Sequence, residues 1–152
     1  MTTTDALVER LLRTYDTITV VGASNDPAKP AHFVPAEMRF HGWRIVPVNP
    51  HAGAVFGVPA YPTLAAVPGP IGLVNVFRPS ADAPTVARQA IDAGATALWL
   101  QLGITSIEAR TLATEAGLLY VEDRCLLIEQ RRLGLEAPGR GVVTADPATE
   151  GS

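Results

Sequence analysis

Ile18-Thr19-Val20-Val21 runs directly into Gly22-Ala23-Ser24-Asn25-Asp26-Pro27, and this junction holds the residues best suited to chemistry. Apolar, β-branched side chains dominate the first part, as a strand covered on both faces requires. Gly22 permits a tight turn and close backbone approach. Ser24, Asn25 and Asp26 favour turns and helix caps. Where such a turn opens a helix, free backbone N–H groups meet the positive end of the helix dipole. That arrangement is an anion site, typically for phosphate. The plain structural alternative is a strand with its turn and nothing more.

The turn departs from the usual dinucleotide fingerprint. G-x-G-x-x-G needs three glycines, and the matching positions hold Gly22, Ser24 and Pro27. An NAD site also expects an Asp or Glu about 20 residues on, to bind the ribose hydroxyls. The second strand, Arg44-Ile45-Val46-Pro47-Val48, ends instead in Asn49-Pro50. The architecture therefore reads as nucleotide-binding without its NAD-specific elements.

Groups for bond-breaking chemistry are scarce. His32, His41 and His51 stand in no triad-like or metal-like spacing, and no CxxC, HExxH or GxSxG motif occurs. Cys125, beside Asp123 and Arg124, is the lone thiol. A neighbouring cation can lower a thiol pKa, but a small buried residue at a helix start explains the position better. No metal site and no catalytic residue is expected.

Composition narrows the class. The chain has 152 residues, 47% hydrophobic and 18% charged, with a net charge of −3. One domain with its own core fits that length. A negative balance gives no general attraction to nucleic acid or anionic membranes. No apolar run reaches the ~20 residues of a membrane span. No basic-then-apolar leader opens the sequence, and one cysteine forms no internal disulfide, so a cytoplasmic location is expected. Of the 12 lysines and arginines, only Lys29 is lysine, and it follows the glycine turn.

The elements that must position these residues alternate. Periodicity predicts a helix over 5–14 with Leu7, Leu11 and Leu12 on one side, then a strand over 17–21. A helix over 34–40 carries Pro35 in its first turn and stops at Gly42. A strand over 44–48 and an edge strand over 58–61 follow. Further strands are expected over 71–77, 96–100 and 118–121, with helices over 81–93 and 124–133. Thr105-x-x-Glu108 is a capping-box signature opening a helix that Gly117 ends. From Leu135 the sequence loses all periodicity, and 135–152 is expected to be a disordered tail.

This alternation implies an α/β fold, a doubly wound, mostly parallel sheet with helices on both faces. Ligands of such sheets bind beyond the carboxyl ends of the strands. Gly22 to Pro27, Asn49 to Gly53, Arg78-Pro79-Ser80, Gln101-Leu102-Gly103 and Glu122 to Cys125 all fall on that rim.

Five blocks now align with a known pattern: Val-Val-Gly-Ala-Ser at 20–24, Val-Pro-Val-Asn-Pro at 46–50, Val-Phe-Arg-Pro at 76–79, Leu-Trp-Leu-Gln-Leu-Gly at 98–103 and Asp-Arg-Cys-Leu-x-x-Glu at 123–129. In that order they resemble the small single-domain CoA-binding proteins. These are similar to the CoA-binding domain of succinyl-CoA synthetase alpha chains and of NDP-forming acyl-CoA synthetases. The resemblance covers about Thr17 to Leu133 and implies a Rossmann-like fold with coenzyme A as ligand, and the domain is expected over 1–134. It implies a site lined by Gly22, Ala23, Ser24, Asn49, Pro50, Phe77, Arg78 and Pro79, to which the rim adds Asn25, Lys29, Pro47, Val48 and Gln101. Where the family commonly has Arg-Pro-Ser after the first turn, this sequence has Lys29-Pro30-Ala31. A guanidinium fork there becomes a point charge.

Coenzyme A also suits the residues chemically. Its diphosphate needs the N–H groups of the Gly22 turn. Its ribose phosphate needs a cation, with Lys29, His51 and Arg78 as candidates. Its adenine needs an apolar slot, which Val48, Pro50 and Phe77 can form. The expected function is non-catalytic binding of coenzyme A or an acyl-CoA. The alternatives are an enzyme using NAD(P) or acyl-CoA on the same scaffold, or an interaction module that has lost its ligand.

Overall fold

A computed structural model describes residues 3–139 of the chain. The elements run α1 (Thr3–Thr14), β1 (Thr17–Val21), α2 (Pro30–Phe40), β2 (Arg44–Val48), β3 (Ala54–Val55), β4 (Val58–Pro59), β5 (Leu73–Val76), α3 (Ala83–Asp92), β6 (Ala97–Leu100), α4 (Ile107–Glu115), β7 (Leu119–Val121) and α5 (Leu126–Leu133). Five strands form one parallel sheet in the order β2-β1-β5-β6-β7. Tyr61 adds a single parallel bridge outside β2, at Val48. Counting that bridge as a vestigial strand gives the 3-2-1-4-5-6 order of the dinucleotide-binding fold. The fold is Rossmann-like, as expected.

Alternation along each strand divides the core in two. On one face α1, α2 and α5 bury Val8, Leu11, Leu12, Val34, Met38 and Leu126 against Ile18, Val20, Ile45, Leu73 and Trp99. On the other, α3 and α4 bury Val86, Ala87, Ala90, Ala109 and Ala113 against Val74, Val76, Leu98 and Leu100. Alanines on these helices let them approach the sheet closely. Both tryptophans are enclosed, and each indole N–H has a carbonyl partner as burial demands. Trp43 donates to Tyr15 O at 2.8 Å and Trp99 to Arg124 O at 2.7 Å.

Four expectations need correction. The helix expected from Val34 starts four residues earlier, with Lys29 as N-cap and Pro30 in the first turn, so Pro35 sits inside it. An internal proline removes an i→i−4 bond, here the one to Ala31 O. That carbonyl accepts from the Ser24 N–H instead, at 3.1 Å. The helix at 107 is capped by Ser106, whose hydroxyl accepts from Ala109 N–H, rather than by Thr105. Glu108 ion-pairs with Arg88 of α3, so no capping box forms. The edge strand expected over 58–61 is a separate two-stranded hairpin, β3–β4, beside β2, with Tyr61 making the bridge to the main sheet. Its turn, Phe56-Gly57, has positive φ at both residues, as a tight hairpin turn requires.

The fourth correction concerns the chain beyond 134. Gln130 donates its side-chain amide to Leu135 O, Ala137 N–H donates to His41 O, and His41 Nδ1 lies 2.7 Å from Glu136 Oε2. Ala137 is buried. The expected tail therefore begins as an anchored segment through Gly139, and the rest of 135–152 lies outside the described residues.

Candidate functional site

From β1 the chain steps outward to β2, then crosses back to β5 on the other side of β1. The loops leaving β1 and β5 therefore diverge, and the crevice between them is the topological switch point where such sheets bind ligands. Three N–H groups extend the sheet ladder beyond the strand ends there. Gly22 donates to Val48 O, Phe77 to Val21 O and Gln101 to Val76 O, at 2.9, 2.9 and 3.2 Å. The first residues of three loops are thus brought into register.

Gly22 has φ +92°, and a Cβ built on it would stand 3.0 Å from Phe77 O and 3.3 Å from Arg78 Cδ. Both its conformation and the closeness of the β5 loop require glycine. The following turn is stiffened by its own side chains. Ser24 Oγ accepts from Asp26 N–H and Asp26 Oδ1 from Ala28 N–H, both at 3.0 Å. Lys29 N–H donates to Asp26 O. With Ser24 N–H spent on Ala31 O, the N–H groups of Ala23, Asn25 and Ala31 keep no acceptor among the described residues. These are the donors left for an anion at the start of α2.

Several expected contact residues also have partners inside the protein. Asn49 donates its amide to Ala23 O at 2.7 Å and accepts from His51 N–H at 2.7 Å. It therefore clamps the β2 loop to the β1 turn. Asn25 donates to Ala54 O at 2.8 Å, tying that turn to the hairpin. Pro47 and Val48 are buried strand residues. Pro47 is tolerated because β2 is the edge of the five-stranded sheet. Pro50 and His51 are exposed, Phe77 is half-buried, and Pro79 caps a short 3-10 turn over Ser80–Asp82.

The cations differ in state. Arg78 pairs with Asp82 at 2.9 Å across an exposed surface, a contact of little strength. Lys29 is exposed, with no carboxylate within pairing distance among the described residues. Arg124 bonds Asp5 at 2.8 Å and Glu129 at 3.2 Å. The hydrogen bond it donates to Asp5 is the main reason its pKa is raised further. Its charge is thus neutralised by carboxylates, and Cys125, buried as the N-cap of α5, packs within the apolar core.

Other contributors were not singled out from the sequence. His32 Nδ1 lies 2.7 Å from Ser24 O, and its ring meets Phe56 at 4.9 Å. Asp123, at φ +58°, accepts from Gly103 N–H at 2.7 Å and joins the β6 and β7 loops. Asn75 stands fully buried in β5. Its amide and the Leu126 N–H both donate to Gln101 Oε1, at 3.3 and 3.0 Å. Gln101 is thereby oriented with its NH2 turned away from those partners. A polar residue within the apolar run 71–77 was the available signal for Asn75.

The model of the CoA binding domain matches residues 16–131. The chain belongs to the CoA binding domain family. The match spans all five strands of the sheet and leaves α1 outside it. A relative in Bacillus subtilis (strain 168), the uncharacterized protein YneT, is 35% identical over 123 residues, covering 81% of this chain and 91% of YneT. A Thermus thermophilus structure (cell-free ID.343) superposes with a TM-score of 0.80 at 37% identity, covering 85% of this chain and 98% of that one. The dinucleotide-forming acetyl-coenzyme A synthetase 1 of Ca. Korarchaeum cryptofilum shares the fold at a TM-score of 0.63 and 24% identity. The superposition covers 74% of this chain and 26% of that synthetase.

Proposed function

We propose that this protein binds coenzyme A, or an acyl-CoA, in the crevice between the β1 and β5 loops and performs no chemistry of its own. The observation that carries the reading is the CoA binding domain match across 16–131. The end of β2 argues against NAD: it offers Asn49, already engaged on both sides, and no carboxylate for ribose hydroxyls.

In this reading the diphosphate takes the N–H groups of Ala23, Asn25 and Ala31 at the start of α2. Lys29 meets phosphate as an unpaired point charge, and Arg78 does so by exchanging Asp82 for the ligand. Phe77, with Pro50 and Val48, borders the adenine. Gln101 presents its NH2 as a neutral donor to the rest of the cofactor. The protein's expected compartment is the cytoplasm, where coenzyme A is used.

The test is a thermal melt with coenzyme A, NAD and NADP at equal concentration. A ligand at ~100 times its dissociation constant adds about 2.7 kcal/mol of stability, a visible shift. Coenzyme A should raise the midpoint most. A larger shift with NAD would sink the reading.

A further inference from the structure

The two faces of the sheet are not equally covered. α3 and α4 pack against β5, β6 and β7, and on their side the loop from Tyr61 to Gly72 runs beside β1 and β2. Near the carboxyl ends Val21 and Val48 join the core with Leu64. One layer lower, Thr19 and Val46 do not; they floor a cleft of about 390 Å³. Its mouth lies at the amino ends of the strands, across the sheet from the Gly22 turn.

The cleft is built rather than incidental. Tyr15 forms one wall, its ring so close over Gly72 that a Cβ there would be 2.6 Å away. The Tyr15 hydroxyl is fixed by Thr96 Oγ1 at 2.6 Å. Val67 and Ile71 form the opposite, apolar wall. Both also line a second cleft of about 380 Å³ behind them, so this wall has room to adjust to an occupant. Thr19 is 3% exposed, and its hydroxyl has no partner among the described residues.

Opposite charges share the mouth. Arg44 N–H bonds Asp16 O at 2.9 Å, which holds the two residues side by side. Yet their side chains do not pair with each other, and no carboxylate lies within pairing distance of Arg44 among the described residues. Asp16 Oδ1 accepts only the Thr17 hydroxyl, at 2.9 Å.

We propose that this cleft is a second ligand site, for a free α-amino acid with a branched or aromatic side chain. The carboxylate meets Arg44, whose fork suits it. The ammonium meets Asp16. The side chain lies between Val46, Val67 and Ile71, with Thr19 below. The volume falls within the range of small-molecule sites. The inference stands apart from the coenzyme A reading, because no residue is shared.

Proton–nitrogen correlation spectra of the full chain test it, with L-leucine and L-phenylalanine as probes. Saturable shifts are expected at the amides of Thr19, Val46 and Ile71. Phenylpropionate and phenethylamine each lack one charge, and each should bind about ten-fold more weakly or worse. Arg44→Gln, which removes an exposed guanidinium with no ion-pair partner among the described residues, should erase the preference for L-phenylalanine over phenethylamine. Asp16→Asn should erase the preference over phenylpropionate. The absence of saturable shifts at these amides in the unmodified protein overturns the proposal, as does equal affinity for the probes and their charge-deleted analogues.

Discussion

Lys29 and Arg78 differ at the residue scale although both are rim cations. Lys29 has no carboxylate partner among the described residues, whereas Arg78 already holds Asp82. Replacing Lys29 removes a charge that is ready for phosphate; replacing Arg78 removes one that must first exchange partners. Each charge-assisted contact is worth about 1.5–3 kcal/mol at most. Lys29→Ala is therefore expected to weaken coenzyme A by about ten-fold or more, and Arg78→Ala by less. Titration calorimetry of both variants decides it. If Arg78 meets the ribose phosphate, its loss should matter less for dephospho-CoA. Unchanged affinity in both would leave recognition to the backbone turn alone.

Pro35 shows how one element shapes the site from a distance. Its missing N–H leaves Ala31 O free, and Ser24 N–H takes that carbonyl. The Gly22 turn is thereby fastened to α2 by a defect in the helix. Pro35→Ala restores an N–H that competes for Ala31 O. Alanine also has the better helix propensity, which offsets part of the lost packing. The expected result is a small change in melting temperature with a weaker grip on coenzyme A. A net hydrogen bond of about 1 kcal/mol corresponds to roughly five-fold in affinity. Unaltered affinity in a folded Pro35→Ala protein would separate the helix from the turn.

At the scale of the whole molecule, pH reports on how α4 is held to the sheet. Tyr120, in β7, donates to Glu122 Oε1 at 2.9 Å and to Ser106 O at 3.3 Å, beside the N-cap of α4. Arg110 lies over its ring and pairs with Glu122. Burial, then the hydrogen bond to Glu122, pushes the Tyr120 pKa well above its ordinary value. The unfolded chain therefore loses this proton at lower pH than the folded one. Stability from Tyr120 is full below about pH 10 and declines as pH rises beyond it. Tyr120→Phe should cost roughly 1 kcal/mol near neutrality, and that difference should shrink in urea melts above about pH 10. A constant difference across that window would mean the hydroxyl does not titrate with folding.

Strand and helix identities were legible because apolar periodicity is local. β1 and β2 fall at the predicted residues, and the alternation alone required a parallel sheet covered on both faces. Gly22 as the crevice residue, and the five blocks from Val20 to Glu129, were likewise written in the sequence. What the sequence could not contain was the partner of each polar group, since those partners lie far away along the chain. Asn49 reads from the sequence as a ligand contact, and only the folded chain gives it a second task, holding Ala23 O at 2.7 Å. Pro35 reads as a first-turn residue until Lys29 caps the helix and Ser24 takes the freed carbonyl. Ser106 rather than Thr105 caps α4, and Glu108 reaches across to Arg88 of α3, a partner far away along the chain. The cleft under Ile71 has no sequence signature at all, since it forms where two strands are left without a helix above them. Local pattern decided which elements exist, and distant pairing in the folded chain decided which of their side chains remain free to act.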